Sequence, residues 1–244
     1  MTRDAGNLAE RVYLVTGAAA GLGRAISRAL AEAGATVILL DKDVAGLEAA
    51  YDEIEALGAP QPAILSLDLE GAEAGDYDQL VATVREELGR LDGIVHAAAV
   101  LGGLAPIADY PPTVWTSVLA TNLNGPFLVT RACLPLLEDA PDPAVVFVSD
   151  AVGEQGKAYW GAYAVSKAGM ETLARILADE SEQSPLRVHT VIPGPMATSI
   201  QSEAFAGATP EEWPDPAERA PGFARLLADP DGLGRSHRWQ ATEL

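Results

Sequence analysis

The stretch VYLVTGAAAGLG, residues 12–23, decides the fold class of this chain. Its first part, Val12–Thr16, is a run of apolar and β-branched residues, which predicts a buried strand. Three glycines follow directly, and helix-forming residues continue to about Ala33. A strand that enters a helix through glycines is typical of a βα unit that binds phosphate, because the first N–H groups of the helix have no partner within it.

The three glycines, Gly17, Gly21 and Gly23, are spaced as GxxxGxG. Together with Leu22 they form the predicted pyrophosphate site. Because glycine has no Cβ, the backbone can approach a bound pyrophosphate closely there. A glycine turn alone is a weak signal, since many βα turns contain glycine. Its weight comes from the strand before it and the helix after it.

Strand-like runs alternate with helical stretches along the rest of the chain. Further strands are predicted at 36–40, 63–67, 93–98, 145–149 and 187–192, and one long helix, bent or ended by prolines, at 115–137. Continuous apolar strands between amphipathic helices predict a parallel sheet covered on both faces. We therefore predict an α/β fold with a doubly wound parallel sheet of Rossmann type, in a single domain spanning 1–244.

The chain after Pro193 is rich in proline, glycine and acidic residues. We predict that 199–227 forms a lid over the substrate, although its aromatic residues (Phe205, Trp213 and Phe223) could equally seal the core. A basic and aromatic tail, 235–239, follows this segment.

The composition is acidic, with a formal charge of −19 from 35 acidic and 16 basic side chains. Such a surface repels phosphate backbones and anionic lipid, so we expect neither nucleic acid nor membrane partners. Adaptation to high salt is a second interpretation of the same charge. The N-terminal residues contain no apolar signal core, which predicts a cytoplasmic protein. Cys133 is the only cysteine; we expect it to pack in the core, and we expect no metal site.

Tyr163 and Lys167 stand four residues apart in YAVSK. On a helix this spacing places both side chains on one face. A neighbouring ammonium favours the phenolate, so Lys167 is predicted to lower the pKa of Tyr163. Beside a bound dinucleotide, the pair suits proton exchange at an alcohol or carbonyl coupled to hydride exchange with a nicotinamide.

Asp41 ends the second predicted strand, 18 residues after Gly23. A carboxylate there can accept a hydrogen bond from a ribose 2′-hydroxyl and repels a 2′-phosphate, so NAD is the preferred cofactor. Lys42 could instead pair with the phosphate, which leaves NADP open. Asp41 could also be only a residue that opens a loop.

Together these elements resemble the short-chain dehydrogenase/reductase family over residues 10–200. The motifs that carry the resemblance are TGAAAGLG at 16–23, Asp68-Leu69, Asn122 in TNLNG, YAVSK at 163–167, and Pro193-Gly194 with Thr198. Within the family, LDGIVHAAAVLGGLAPI and WGAYAVSK are similar to the YciK-like bacterial oxidoreductases.

The resemblance implies roles for several positions. Asp68 is expected to contact the adenine, Thr198 the nicotinamide carboxamide, and Lys167 the nicotinamide ribose. Asn122 is expected to anchor a water in a proton relay with the lysine. The other implied cofactor-binding positions are Leu69, Ala97, Ala98, Pro193 and Gly194. A homodimer or homotetramer formed through the long helices is implied as well.

Two positions depart from the family pattern. His96 replaces an asparagine that braces neighbouring strands, and we predict a structural role for it. Asp150 replaces the catalytic serine, 13 residues before Tyr163. An ionised carboxylate cannot donate a hydrogen bond to a substrate oxygen, and it opposes a Tyr163 phenolate by like-charge repulsion. Ser149 is expected to point to the opposite face of the strand.

The predicted function is an NAD(P)-dependent oxidoreductase that acts on a small alcohol or carbonyl substrate, slowed by Asp150. Tyr163 would be the general acid/base. The alternative is a dinucleotide-binding or redox-sensing protein with vestigial catalysis. A nucleotide-sugar epimerase is disfavoured by the short region after Pro193.

Overall fold

The computed structural model describes residues 7–207, 213–229, 234 and 236–240. The elements, in chain order, are β1 (Val12–Thr16), α1 (Gly21–Glu32), β2 (Thr36–Asp41), α2 (Val44–Ala56), β3 (Ala63–Ser66), α3 (Ala74–Glu87), β4 (Gly93–His96), α4 (Pro112–Leu119), a π-helical segment (Ala120–Asn124), α5 (Gly125–Glu138), β5 (Ala144–Val148), α6 (Ala151–Gln155), α7 (Gly161–Glu180), β6 (Arg187–Ile192), α8 (Ser199–Ala204), α9 (Pro216–Ala228) and β7 (Ser236–Gln240).

Seven strands form one sheet in the order β3-β2-β1-β4-β5-β6-β7, and every neighbouring pair is parallel. Strands β1, β4, β5 and β6 are buried along their whole length. This is why β1 and β5 are nearly continuous apolar runs, whereas β6 also buries Arg187, His189 and Thr190. One face packs on α1, α2 and α9, and the other on α3, α5 and α7. The predicted doubly wound parallel sheet of Rossmann type is confirmed.

The predicted long helix at 115–137 is interrupted. It consists of α4, the π-helical segment and α5, with Pro126 in the first turn of α5 and Pro135 inside it. A π-helical segment shifts the hydrogen-bond pattern by one residue, and such segments are frequent at functional sites. Here the segment carries Thr121 and Asn122, both buried.

At its carboxyl end, the segment 199–227 fits the second interpretation, a seal of the core, and the lid stays a prediction for the rest. Helix α9 packs against α1, and Phe223 is fully buried in the core between them. Only the amino-terminal part, helix α8, borders the cleft described below. Residues 208–212 of the predicted lid lie outside the described residues.

Most of the basic and aromatic tail, 235–239, belongs to β7, the edge strand beside β6, which the sequence analysis did not predict. A strand with so few apolar residues carries a weak sequence signal. Arg235 lies outside the described residues.

Cys133 is buried in the core, and burial raises the pKa of its thiol to about 12, so it is held as the neutral thiol. Among the described residues, no helix combines the length and apolar composition needed to cross a bilayer. The same part of the chain brings no three His, Cys, Asp or Glu side chains into a group that could hold a metal ion.

Candidate functional site

A cleft opens at the carboxyl ends of the central strands, where ligands bind in open α/β sheets. Every predicted site residue except Asn122 lines it: Gly17, Gly21, Leu22, Gly23, Asp41, Lys42, Asp68, Leu69, Ala97, Ala98, Asp150, Tyr163, Lys167, Pro193, Gly194 and Thr198. Residues far apart in the chain therefore converge on one cavity.

Two of the three glycines in the turn, Gly17 and Gly23, have no room for a side chain. Gly17 has a φ of +73°, and a Cβ there would lie 2.8 Å from the Cα of Ala98. A Cβ on Gly23 would overlap the carbonyl oxygen of Gly17. Across the turn, the Thr16 hydroxyl accepts hydrogen bonds from the N–H groups of Ala97 (3.2 Å) and Ala98 (3.1 Å). This narrow backbone cradle at the start of α1 suits a pyrophosphate.

The far end of the cleft holds three charged side chains. Asp41 accepts hydrogen bonds from the backbone N–H groups of Ala19 (3.3 Å) and Asp43 (3.1 Å), which fix its carboxylate at the end of β2. Lys42 Nζ lies 3.6 Å from Asp68 Oδ1, and both side chains are about half exposed. Asp41 thus supports its own loop, and it also lines the cleft.

Asp150 is the N-cap of α6. Its Oδ1 accepts a hydrogen bond from Val152 N–H at 3.0 Å, and its Oδ2 accepts one from the Tyr163 hydroxyl at 3.3 Å. Tyr163 is buried against Trp160, with ring centroids 5.8 Å apart. The Asp150 carboxylate therefore accepts the hydrogen bond that the Tyr163 hydroxyl donates.

Lys167 is buried and donates a hydrogen bond from Nζ to the carbonyl of Val148 at 2.8 Å. Its Nζ lies 5.6 Å from the centroid of the Tyr163 ring. Burial lowers the pKa of this ammonium to about 8, although Asp150 and Glu171 oppose the change. Lys167 therefore titrates near physiological pH.

The pKa of Tyr163 is raised and not lowered as predicted, although a neighbouring ammonium by itself favours the phenolate. Burial, followed by the charge and the hydrogen bond of Asp150, raises the pKa of Tyr163 well above its ordinary value. The effect of Asp150 agrees with its prediction, since its negative charge opposes the phenolate and so raises the pKa of Tyr163. Because the phenolate is a charge in a buried place beside a carboxylate, Tyr163 stays protonated at neutral pH.

Asn122 does not line the cleft. Its Oδ1 accepts from Val100 N–H (2.8 Å), and its Nδ2 donates to the Val100 carbonyl (2.9 Å) and to Ser166 Oγ (3.2 Å). This side chain braces the loop after β4 against α7. The expected part of Asn122 in a proton relay stays a prediction.

Ser149 points away from Tyr163, as the alternation of the strand predicts. Its hydroxyl donates a hydrogen bond to Glu171 Oε1 at 2.7 Å. Its hydroxyl is therefore engaged by Glu171, and the expectation that Ser149 does not replace the usual serine stays a prediction.

His96 is a core residue. Its Nε2 shares a 2.8 Å hydrogen bond with Thr130 Oγ1, and its ring stacks on Phe147 at 4.9 Å. It thus braces β4 against α5 and contacts the neighbouring strand β5. Nδ1 finds no hydrogen-bond partner among the described residues. Burial lowers the pKa of His96 to about 3.

This burial predicts a pH dependence of stability. The unfolded chain protonates His96 below about pH 6.5, whereas the folded chain keeps it neutral to about pH 3, so stability falls as the pH falls through this window. The expected slope from this one group is about 1.4 kcal/mol per pH unit. We expect His96→Asn to remove that slope in urea unfolding between pH 6.5 and 5. His237→Asn, on the exposed edge strand, is the control and should keep the wild-type slope; equal slopes in all three proteins would contradict the prediction.

Sequence reasoning missed several residues of the cleft. The clearest is Thr121, whose Oγ1 is buried and has no partner in the described part of the chain, although the residue lines the cleft. Met196, Ile200 and Gln201 line it as well. Thr121 adjoins Asn122 and could have been found by position. The other three follow a loop whose path the sequence does not indicate.

The doubly wound sheet, the glycine cradle and the Tyr163–Lys167 pair define a dinucleotide-dependent class of proteins. Within that class, the chain belongs to the short chain dehydrogenase family, whose model matches residues 11–209.

The relatives agree with this assignment. The uncharacterized oxidoreductase YciK of Escherichia coli K12 is 38% identical over 222 residues, which cover 91% of this chain and 88% of that protein. A chain from Pseudomonas syringae classed as a short chain dehydrogenase has a TM-score of 0.94 and 39% identity, with 98% of each chain covered. A similarly classed chain from Shigella flexneri, complexed with NADP, has a TM-score of 0.93 and 36% identity, covering 98% of this chain and 100% of that one.

Proposed function

We propose that this chain is a nicotinamide-dependent carbonyl reductase for a small substrate, with Tyr163 as the proton donor. The observation that carries the proposal is the position of Tyr163. Its hydroxyl lies beside Asp150 in the same cleft as the glycine cradle. A reduction needs a protonated phenol and an oxidation needs the phenolate, so the raised pKa of Tyr163 favours reduction at neutral pH.

The residues of the cleft fit a nicotinamide dinucleotide. When bound, such a coenzyme supplies the hydride that adds to the carbonyl carbon. Gly17, Gly21 and Gly23 leave the backbone open to the pyrophosphate, and Lys167 would bind the nicotinamide ribose. Thr198, the N-cap of α8, would hold the carboxamide. Tyr163 would give its proton to the carbonyl oxygen as the alcohol forms.

The direct test is a coenzyme-oxidation assay on a panel of small aldehydes and ketones, with the corresponding alcohols in reverse. Reduction should exceed oxidation at pH 7, and oxidation should rise with pH as the phenolate forms. Measurable coenzyme binding without turnover in either direction would overturn the proposal.

One observation favours the second candidate, a dinucleotide-binding or redox-sensing protein with vestigial catalysis. The Tyr163 hydroxyl already donates its hydrogen bond to Asp150. A substrate oxygen must displace that acceptor, and Asp150 offers no replacement donor if it is ionised. We therefore expect any reductase activity to be slow, and vestigial catalysis is the limit of that expectation.

The ribose end of the cleft favours NAD(H) over NADP(H). Asp41 and Asp68 place two carboxylates there, and the ammonium of Lys42 already lies near Asp68. A 2′-phosphate would add negative charge beside Asp41, whereas a 2′-hydroxyl can donate a hydrogen bond to it. The Shigella relative is complexed with NADP, so this preference would be a property of the present chain.

Replacing Asp41 with serine should shift the coenzyme preference. We expect the ratio of NADPH to NADH affinity to rise about tenfold, the equivalent of about 1.4 kcal/mol of relieved repulsion. Fluorescence titration with both reduced coenzymes measures it. Asp43→Ser is the matched control, because it removes the same charge nearby but keeps an N-cap and does not line the cleft. An unchanged ratio in Asp41→Ser would refute the preference.

Self-association would use α5 and α7. Both helices expose large apolar side chains, Phe127 on α5 and Val165 and Ile176 on α7. A homodimer or homotetramer would cover them. Sedimentation equilibrium distinguishes these states from a monomer.

A further inference from the structure

The carboxyl-terminal strand reaches the catalytic helices. In β7, Trp239 packs toward the core between α1 and α9, with its Nε1 3.4 Å from His189 Nδ1. Side chains alternate along a strand, so Arg238 projects from the opposite face of the sheet, toward α6 and α7. The basic and aromatic tail therefore places one guanidinium behind the site.

Arg238 joins two acids on different helices. Its Nη2 lies 2.8 Å from Glu154 Oε2 on α6, and its Nε lies 3.1 Å from Glu171 Oε2 on α7. Helix α6 begins directly after Asp150, and Glu171 stands one turn after Lys167. Both helices that carry the site are thus held by one side chain.

Glu171 carries the contact to the end of β5. Its second oxygen, Oε1, accepts the hydrogen bond from Ser149, the residue before Asp150. Lys167 is bound to the same end of the strand through the carbonyl of Val148. A chain of contacts therefore runs from Arg238 through Glu171 and Ser149 to the segment that positions Asp150 and Lys167.

The same contacts have an electrostatic consequence. Glu171, which is 15% exposed, raises the pKa of Lys167, as Asp150 does. The other charged or titratable groups around this ammonium are the Tyr163 phenol and, behind Glu171, Glu154 and Arg238. The guanidinium offsets the charge of Glu171, so its removal should increase the effect of Glu171 on Lys167.

We propose that Arg238 is a positioning residue of the active site. It holds Glu171, and through Glu171 and Ser149 it fixes the end of β5 and limits the negative charge that acts on Lys167. This inference rests on the proposed function of Lys167 and Tyr163. The carboxyl-terminal strand is then part of the catalytic apparatus as well as an edge of the sheet.

The test uses two variants that change the charge in opposite directions. Arg238→Met removes the cation and keeps an apolar stem. Glu171→Gln removes the anion and keeps an oxygen that can accept from Ser149. The chain has only three lysines, Lys42, Lys157 and Lys167, so carbon-13 lysine NMR can follow Lys167 directly. Lys42→Arg and Lys157→Arg assign the other two signals.

We expect the titration midpoint of Lys167 to move to higher pH in Arg238→Met and to lower pH in Glu171→Gln. We also expect kcat to fall about tenfold in Arg238→Met with KM nearly unchanged, because the reacting groups are misplaced. Arg238→Lys should restore most of kcat. Arg175→Met is the control, since Arg175 is an exposed arginine on α7 that contacts Thr172.

A purely structural contact would move neither midpoint, or would move both in one direction, and either result overturns the inference. If Arg238→Met fails to fold, Arg238→Gln, which also removes the cation, takes its place, and an unmoved Lys167 midpoint in that variant overturns the inference. If the wild type shows no turnover, the proposed function fails while the NMR titration still tests the contact.

Discussion

Replacing Tyr163 with phenylalanine is expected to lower kcat for carbonyl reduction about 10³-fold, because the change removes the hydroxyl that we propose protonates the substrate oxygen. The ring itself should stay in place, since it packs against Trp160 in a buried cluster. Coenzyme affinity, measured by fluorescence titration, should therefore remain close to that of the wild type.

The matched control is Tyr159→Phe. Tyr159 stands four residues earlier, is 61% exposed, and does not line the cleft. The same loss of a hydroxyl there should leave kcat unchanged. If both variants kept full activity, or lost it equally, Tyr163 would not be the proton donor.

Replacing Asp150 with serine is expected to raise kcat/KM about 10²-fold, the size of effect that one hydrogen-bond donor at a developing oxyanion provides. Serine supplies the missing donor and releases the Tyr163 hydroxyl from its acceptor. It also removes the charge that raises the pKa of Tyr163, so the oxidation of alcohols should begin at lower pH. Helix α6 should persist, because serine is a good N-cap and can replace the bond to Val152 N–H.

The Asp150→Asn variant separates the effect of removing the charge from the effect of adding a hydroxyl donor. Asparagine removes the charge but brings no hydroxyl, so it should shift the pH profile of oxidation as serine does and recover less of the rate. A wild type that turns over well, with a serine variant that does not, would show that the carboxylate takes part in the chemistry.

The fold could be predicted because its signals are local. The glycine turn follows β1 directly, and mainly apolar strands alternate with helices, so this alternation indicates a parallel sheet. The edge of the sheet and the segment after Pro193 were less predictable. Strand β7 has a polar composition and is ordered by pairing with β6, which only the folded chain shows. The segment 199–227 was predicted to be either a lid or a seal of the core, because its aromatic residues indicate that it packs but not on what.

The site residues also divide into those with a local sequence signal and those that only the folded chain brings together. Tyr163 and Lys167 were found from a helical spacing, and the opposite orientations of Ser149 and Asp150 from the alternation of a strand. The pKa of Tyr163 was predicted in the wrong direction because spacing does not reveal burial, and burial is the largest influence on that phenol. The bond from Lys167 to the Val148 carbonyl and the contact of Arg238 with Glu171 join distant segments, so neither leaves a trace in the sequence.

The central claim is that Tyr163 protonates a carbonyl oxygen while a bound coenzyme delivers hydride in the same cleft. Reduced coenzyme carrying two deuterium atoms at C4, incubated with an aldehyde and analysed by mass spectrometry, tests it most directly. We predict that deuterium appears in the alcohol with the wild type and about 10³-fold more slowly with Tyr163→Phe. Unlabelled alcohol, or equal rates of labelling by the two proteins, would contradict the claim.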